Sequence, residues 1–139
     1  MLKKGDAVKT FKTDALAKAI IHLEEGVGQA SAMPENELMR DGVIQRFEYT
    51  MDLSWKLMQR YLKLIAELDE SNIYSKKDLF REAAKLKLIE SAESWIGHYE
   101  ARNQTLHDYN FDKAKLVYER AKTFLPDAQK LLKRFDELR

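Results

Sequence analysis

The chain has no cysteine, so disulfides, thiolate zinc sites and thiol nucleophiles are all excluded. Only five glycines and two prolines punctuate its 139 residues, too few for a sheet protein with many tight turns. No glycine-rich loop is present to cradle a phosphate, and no two aspartates stand one residue apart as two-metal phosphoryl chemistry often requires. The three histidines show no H-x-x-x-H or H-E-x-x-H spacing, so neither a metal site nor a cofactor is expected. The formal net charge of +1 gives no global field that would announce nucleic acid. No apolar run approaches the ~18 residues of a membrane span, and residues 1–13 are too charged for a secretory signal. A cytoplasmic protein without membrane contact is the expectation.

What is abundant is helix-forming sequence, with 34% charged residues interleaved among Leu and Ala. The longest pattern runs from Glu37 to about Leu68. There Ile44, Phe47, Met51, Ser54, Met58, Tyr61, Ile65 and Leu68 recur at alternating steps of 3 and 4. Flanking rows (Val43, Thr50, Leu57 and Leu64; Trp55 and Leu62) widen the apolar sector, so this helix is predicted to touch neighbours on two sides. Before it, Asp6 is read as the cap of a helix of about 20 residues with Val8, Phe11, Ala15, Ala19, Leu23 and Val27 inward, ending at Gly26 or Gly28. The connection is then Gln29 to Asn36, with Met33-Pro34 disfavouring helix.

Ser75-Lys-Lys-Asp78 has the form of a capping box, opening a short helix with Leu79, Phe80, Ala83, Ala84 and Leu86. Ser91 repeats the device before Trp95, Ile96, Tyr99 and Leu106. The last helix starts near Asp112, and its apolar phase (Ala114, Val117, Ala121, Phe124, Ala128, Leu131, Phe135, Leu138) survives Pro126, predicting one kinked helix. The fold class is therefore all-α, with one core and one domain over 1–139.

Polar chemistry concentrates in Trp95 to Asp112, WIGHYEARNQTLHDYNFD. On a regular helix Tyr99, Asn103 and His107 form one row, and Trp95, Arg102 and Tyr109 another. Arg102 and His107, five apart, sit about 140° around such a helix, so a joint site needs a bend near His107 or a second subunit. A histidine near neutral pKa can act as acid or base and an arginine can fork onto phosphate, chemistry suited to phosphodiester cleavage. The competing reading has His107 hydrogen-bonded near a helix end and Arg102 in an ion pair with a nearby Glu. His22 and His98 are read as surface or boundary histidines. Phe47, Trp55, Tyr61, Trp95 and Phe124 are read as core, Arg46 and Glu48 as helix-surface pairs, and Lys76-Lys77 and Lys130 to Arg134 as solvated basic faces.

Arg46-Phe-Glu-Tyr-Thr-Met-Asp-Leu-Ser-Trp-Lys56 resembles the R-F-E-x-T-x-E-L-A-W-K signature of the nucleotidyltransferase substrate-binding protein family, a branch of the HEPN superfamily. Leu79 to Ile89 resembles that family's R-E-A-F-x-x-G-L-I segment, Arg102-Asn-Gln-Thr-Leu-His107 its R-N-x-x-x-H motif, and Phe124-Leu-Pro126 its last helix. The likeness covers roughly residues 8 to 136. Asp52, Ser54 and Lys87 depart from the usual Glu, Ala and Gly, and Lys87 is expected to alter the turn after the short helix.

The resemblance implies an antiparallel up-and-down four-helix bundle with a short additional helix. It implies a homodimer working beside a separate minimal nucleotidyltransferase that carries the catalytic carboxylates, and a likeness to the helical substrate-binding domain of aminoglycoside nucleotidyltransferases. The chain would then be a non-catalytic subunit binding a nucleotide or other substrate through Tyr99, Arg102, Asn103 and His107. In other HEPN branches R-x4-H at a dimer interface makes a metal-independent ribonuclease toxin. Its nucleotidyltransferase antitoxin adenylylates the tyrosine of R-x4-H-x-Y. Arg102, His107 and Tyr109 fit that longer motif, the first two as catalytic groups acting on RNA and Tyr109 as the modified one.

Overall fold

A computed structural model describes residues 11–104 and 110–138 of the chain. It contains α1 (Asp14–Ala32), α2 (Glu37–Leu64), a 3-10 turn (Glu70–Ile73), α3 (Lys76–Lys85), α4 (Ala92–Asn103) and α5 (Phe111–Leu138), with no strand among the described residues. The architecture is the expected all-α bundle of four helices plus the short α3.

Helix starts follow from side chains that accept a free backbone N–H. Asn36 Oδ1 accepts from Met39 N at 3.0 Å, Ser75 Oγ from Asp78 N at 3.0 Å, and Ser91 Oγ from Ser94 N at 3.1 Å. Both serine caps thus stand where the sequence pattern put them. α5 runs unbroken through Pro126, whose exposed ring removes one hydrogen bond on the solvent side while the apolar face stays in phase.

Two boundaries differ from expectation. α1 passes through both glycines and ends at Ala32, so residues 29–32 are helix rather than connection. The reason is packing: a Cβ on Gly26 would come within 3.1 Å of Arg46 Nη1 and 3.5 Å of Val43 Cγ2, so glycine here admits a neighbouring helix, and among the described residues no glycine has a positive φ. The inward positions of α1 are Leu16, Ala19, Ile20, Leu23, Gly26 and Ala30, whereas Ala15 is exposed; Asp6 and Val8 lie outside the described residues. α2 stops at Leu64, four residues short, and Glu67 turns the chain with a φ of 57°. The apolar phase continued past that end because Ile65 is buried from the turn as it would be from a helix. Leu64 and Leu86, expected inside, are exposed.

One core joins all five helices. Phe47 and Phe124 meet at a centroid distance of 5.1 Å, and Phe124 also packs edge-on against Trp95 at 5.5 Å. The buried hydroxyls of Thr50 and Ser54 donate back to the carbonyls of Arg46 and Thr50 at 2.6 and 2.8 Å, which satisfies them without cross-helix partners. Trp55, expected in the core, is half-buried, with Lys76 Nζ 3.9 Å from its ring centroid.

α3 ends in a Schellman motif. Leu88 N donates to Ala83 O at 2.9 Å and Lys87 N to Ala84 O at 3.0 Å, with Lys87 in the left-handed region at φ 59°. This is the turn at which the departure from glycine falls. Relief of the left-handed penalty, about 1–2 kcal/mol, exceeds the extra chain entropy of glycine, roughly 0.5–1 kcal/mol, so Lys87→Gly is expected to raise stability by about 0.5–1 kcal/mol in urea unfolding.

Candidate functional site

The polar residues singled out in the sequence sit on the second half of α4, packed between α2 and α5. Tyr99, Arg102 and Asn103 are all half-buried on its last two turns. α4 ends at Asn103; His107 and Tyr109 lie outside the described residues. Tyr99 is turned inward, its ring 6.1 Å from that of Phe80.

Arg102 reaches across to α2. Its Nε and Nη2 donate to the two carboxylate oxygens of Asp52, both at 3.1 Å, and Nη1 donates to Glu48 Oε2 at 2.8 Å. A fork on one carboxylate with a second acceptor at the other edge uses the guanidinium's geometry as lysine could not. The Asp52 hydrogen bonds are the main cause that raises the Arg102 pKa. Glu48 moves the opposite way from a simply paired acid: burial, helped by the Asp52 charge, raises its pKa against the pull of Arg102. Asp52 is the stronger partner. Trp55 Nε1 also donates to Asp52 Oδ1, at 3.3 Å, a second donor on the oxygen that accepts from Arg102 Nε.

The sequence pattern led to Arg102 but not to this acid pair, although Glu48 and Asp52 stand four apart on one row of the long helix. Glu48 therefore belongs to an inter-helix cluster rather than to a local pair with Arg46, which donates instead to the carbonyl of His22 on α1. His22 is exposed, as expected.

His98 is the largest correction. It is 2% exposed, edge-on to Trp95 and Phe124, not a boundary residue. Arg120 Nε donates to its Nδ1 at 2.8 Å, and since a guanidinium cannot accept, Nδ1 carries a lone pair. Nε2 then bears the hydrogen and donates to Asp127 Oδ2 at 2.6 Å, so the buried imidazole is neutral. Arg120 Nη2 reaches Ser94 O at 2.7 Å by crossing the bare face of Gly97, where a Cβ would collide with the guanidinium. Gly97 makes room for this contact, a local cue that sequence reading passed over.

Burial above all lowers the His98 pKa, with the Arg120 charge adding to it and Asp127 opposing. In the unfolded chain His98 takes a proton near the ordinary value of 6.5; in the fold it does so only at lower pH. Its stabilising contribution is therefore complete above that value and lost as pH falls below it. His98→Asn is expected to flatten the decline in urea midpoint between about pH 7 and pH 5.5, a direct check on the neutral tautomer.

Among the described residues no three His, Asp or Glu side chains are grouped to hold a metal ion, and no helix is long and apolar enough to cross a membrane.

With this geometry in hand, comparison with known proteins is informative. A protein of Haemophilus influenzae named "Probable ribonuclease HepT" is 38% identical over 92 residues, 66% of this chain and 63% of that relative's length. A solved H. influenzae structure, described as the fold of a substrate binding domain of a nucleotidyltransferase, superposes with a TM-score of 0.81 at 30% identity, covering 90% of this chain and 99% of the other. A Thermus thermophilus structure follows with a TM-score of 0.72, 30% identity, and 86% and 98% coverage. The sequence model described as "Nucleotidyltransferase substrate binding protein like" matches residues 11–137, so the chain belongs to that family.

Proposed function

We propose that this chain is the non-catalytic, substrate-binding partner of a separate minimal nucleotidyltransferase, acting as a cytoplasmic homodimer whose working residues are Tyr99, Arg102 and Asn103 at the end of α4 together with His107. The observation that carries this is the state of Arg102. All three nitrogens of its guanidinium donate to carboxylates of α2, so within one chain the cation is already neutralised and positioned, suited to a docking surface more than to a free phosphate clamp. Family membership supports the same partner. Mixing the purified chain with a minimal nucleotidyltransferase from the same genome is expected to give a stable complex by size-exclusion chromatography, weakened by Arg102→Ala and His107→Ala. Separate elution of the two wild-type proteins would remove this reading.

A second reading has its own support: the relative named as a probable ribonuclease, and the complete R-x4-H-x-Y pattern of Arg102, His107 and Tyr109. In it Arg102 leaves or shares its carboxylates to hold the scissile phosphate, His107 moves the proton, and a nucleotidyltransferase silences the chain at Tyr109. RNA incubated with the isolated chain in chelator decides between them. Cleavage that His107→Ala lowers by about a hundredfold or more establishes the ribonuclease; intact RNA with a folded, dimeric wild type leaves the binding subunit.

A further inference from the structure

At the opposite end of α4 from Arg102, a cavity of about 440 Å³ opens between residues 87–91 and the second half of α5. That is within the size of small-molecule sites, roughly 300–1,000 Å³. Its floor is closed and apolar, made by Leu88, Trp95 and Leu131, none more than 2% exposed. Its rim is cationic. Lys130, Lys133 and Arg134 rise from one face of α5, and Lys87 faces them from the turn.

The carboxylates nearby do not cancel this rim. Asp127 is turned to His98 at 2.6 Å. Glu90 and Glu137 make only 3.4 Å contacts to Lys130 and Arg134, exposed pairs of little energetic weight. Lys87 and Lys133 pair with no carboxylate among the described residues. Arg134 Nε donates to Lys87 O at 2.9 Å, pinning the turn against α5 and setting the width of the mouth.

Lys87 supplies an independent pointer. It occupies the left-handed position of the Schellman turn, where glycine is favoured, and its side chain lines the cavity. A cation held at a backbone position that penalises it, facing a second unpaired cation across an apolar floor, is explained by a ligand that needs both.

We propose that this cavity binds a phosphorylated small molecule of mononucleotide size. The phosphate sits among Lys87, Lys133, Lys130 and Arg134, the rest of the molecule fills the cavity between residues 87–91 and α5, and the hydroxyls of Ser91 and Ser94 meet its polar middle. The site is about 12 Å along α4 from Arg102, from eight residues at 1.5 Å each, and does not rest on the function proposed above.

Calorimetric titration of the full chain with adenosine monophosphate, adenosine and inorganic phosphate tests it. Adenosine monophosphate is expected to bind at least tenfold more tightly than either fragment, and a rise in salt is expected to weaken it. Lys87→Gly combined with Lys133→Gln is expected to lower that affinity at least tenfold while melting no lower than wild type, so a loss of fold cannot mimic the result. In a Trp55→Phe background the remaining Trp95 is expected to shift its emission on binding. No heat with adenosine monophosphate, unchanged affinity in the double variant, or inorganic phosphate binding as tightly as the nucleotide would each overturn the proposal.

Discussion

Arg102→Ala is expected to cost about 2–3 kcal/mol of stability, less than a fully buried pair because the side chains keep some solvent contact. The loss is not simply that of three hydrogen bonds. Glu48 and Asp52 would be left facing each other one helical turn apart, partly desolvated and without a counter-ion. Two further measurements separate this cause from lost packing. Adding Asp52→Asn to the variant is expected to recover part of the deficit, since one of the two like charges is gone. Lowering the pH is expected to shrink the deficit as well: Glu48 already has a raised pKa, and protonation removes the repulsion that the missing arginine no longer offsets. A deficit independent of both would mean that Arg102 contributes through its aliphatic stem alone. For function the consequence is practical, because any assay of Arg102→Ala has to be read against a protein with less stability in reserve.

Phe124→Ala is expected to be the more damaging change, at about 3–5 kcal/mol. Phe124 is fully buried and sits among Phe47, Trp95 and His98 at centroid distances of 5.1, 5.5 and 5.2 Å. These three come from α2 and α4, so the ring is where α5 engages both neighbours. The cavity left by truncation would border the His98 imidazole, and water entering there would relieve the desolvation that holds its pKa down. The variant is therefore expected to lose stability in urea unfolding and also to show a weaker pH dependence between about pH 7 and pH 5.5. A loss below 1 kcal/mol would show that the neighbouring rings collapse to fill the space.

Features fixed by near neighbours in the chain were legible in the sequence. Ser75 and Ser91 cap helices three residues ahead, and the 3 and 4 steps of α5 carried its assignment through Pro126. What failed depended on remote partners. Gly26 read as a possible helix end because its role, making room for Arg46 twenty residues on, is not a local property. His98 read as a boundary residue because Arg120 and Asp127, which allow its burial, come 22 and 29 residues later on another helix. For the same reason Arg102 was recognisable as a candidate, with an ion pair to a nearby Glu as its competing reading, while its carboxylates, 50 and 54 residues earlier, were read as a departure from the family signature (Asp52) and as a surface pair with Arg46 (Glu48). The resemblance reached the fold and the family by residue order, without any of these contacts.

The placement of Arg120, Phe124 and Asp127 on α5 also fixes an order of assembly. α1 and α2 are adjacent in the chain and pack against each other directly, so they can form as a hairpin while synthesis continues. α4 follows with Arg102 able to find Glu48 and Asp52 and with Trp95 against Phe80 of α3, yet the faces of Trp95 and His98 that meet Phe124 stay open until α5 docks. A nascent chain therefore holds the arginine end of α4 on a helix whose contacts to α5 are missing, and that helix is fully packed only once α5 has been synthesised and has docked.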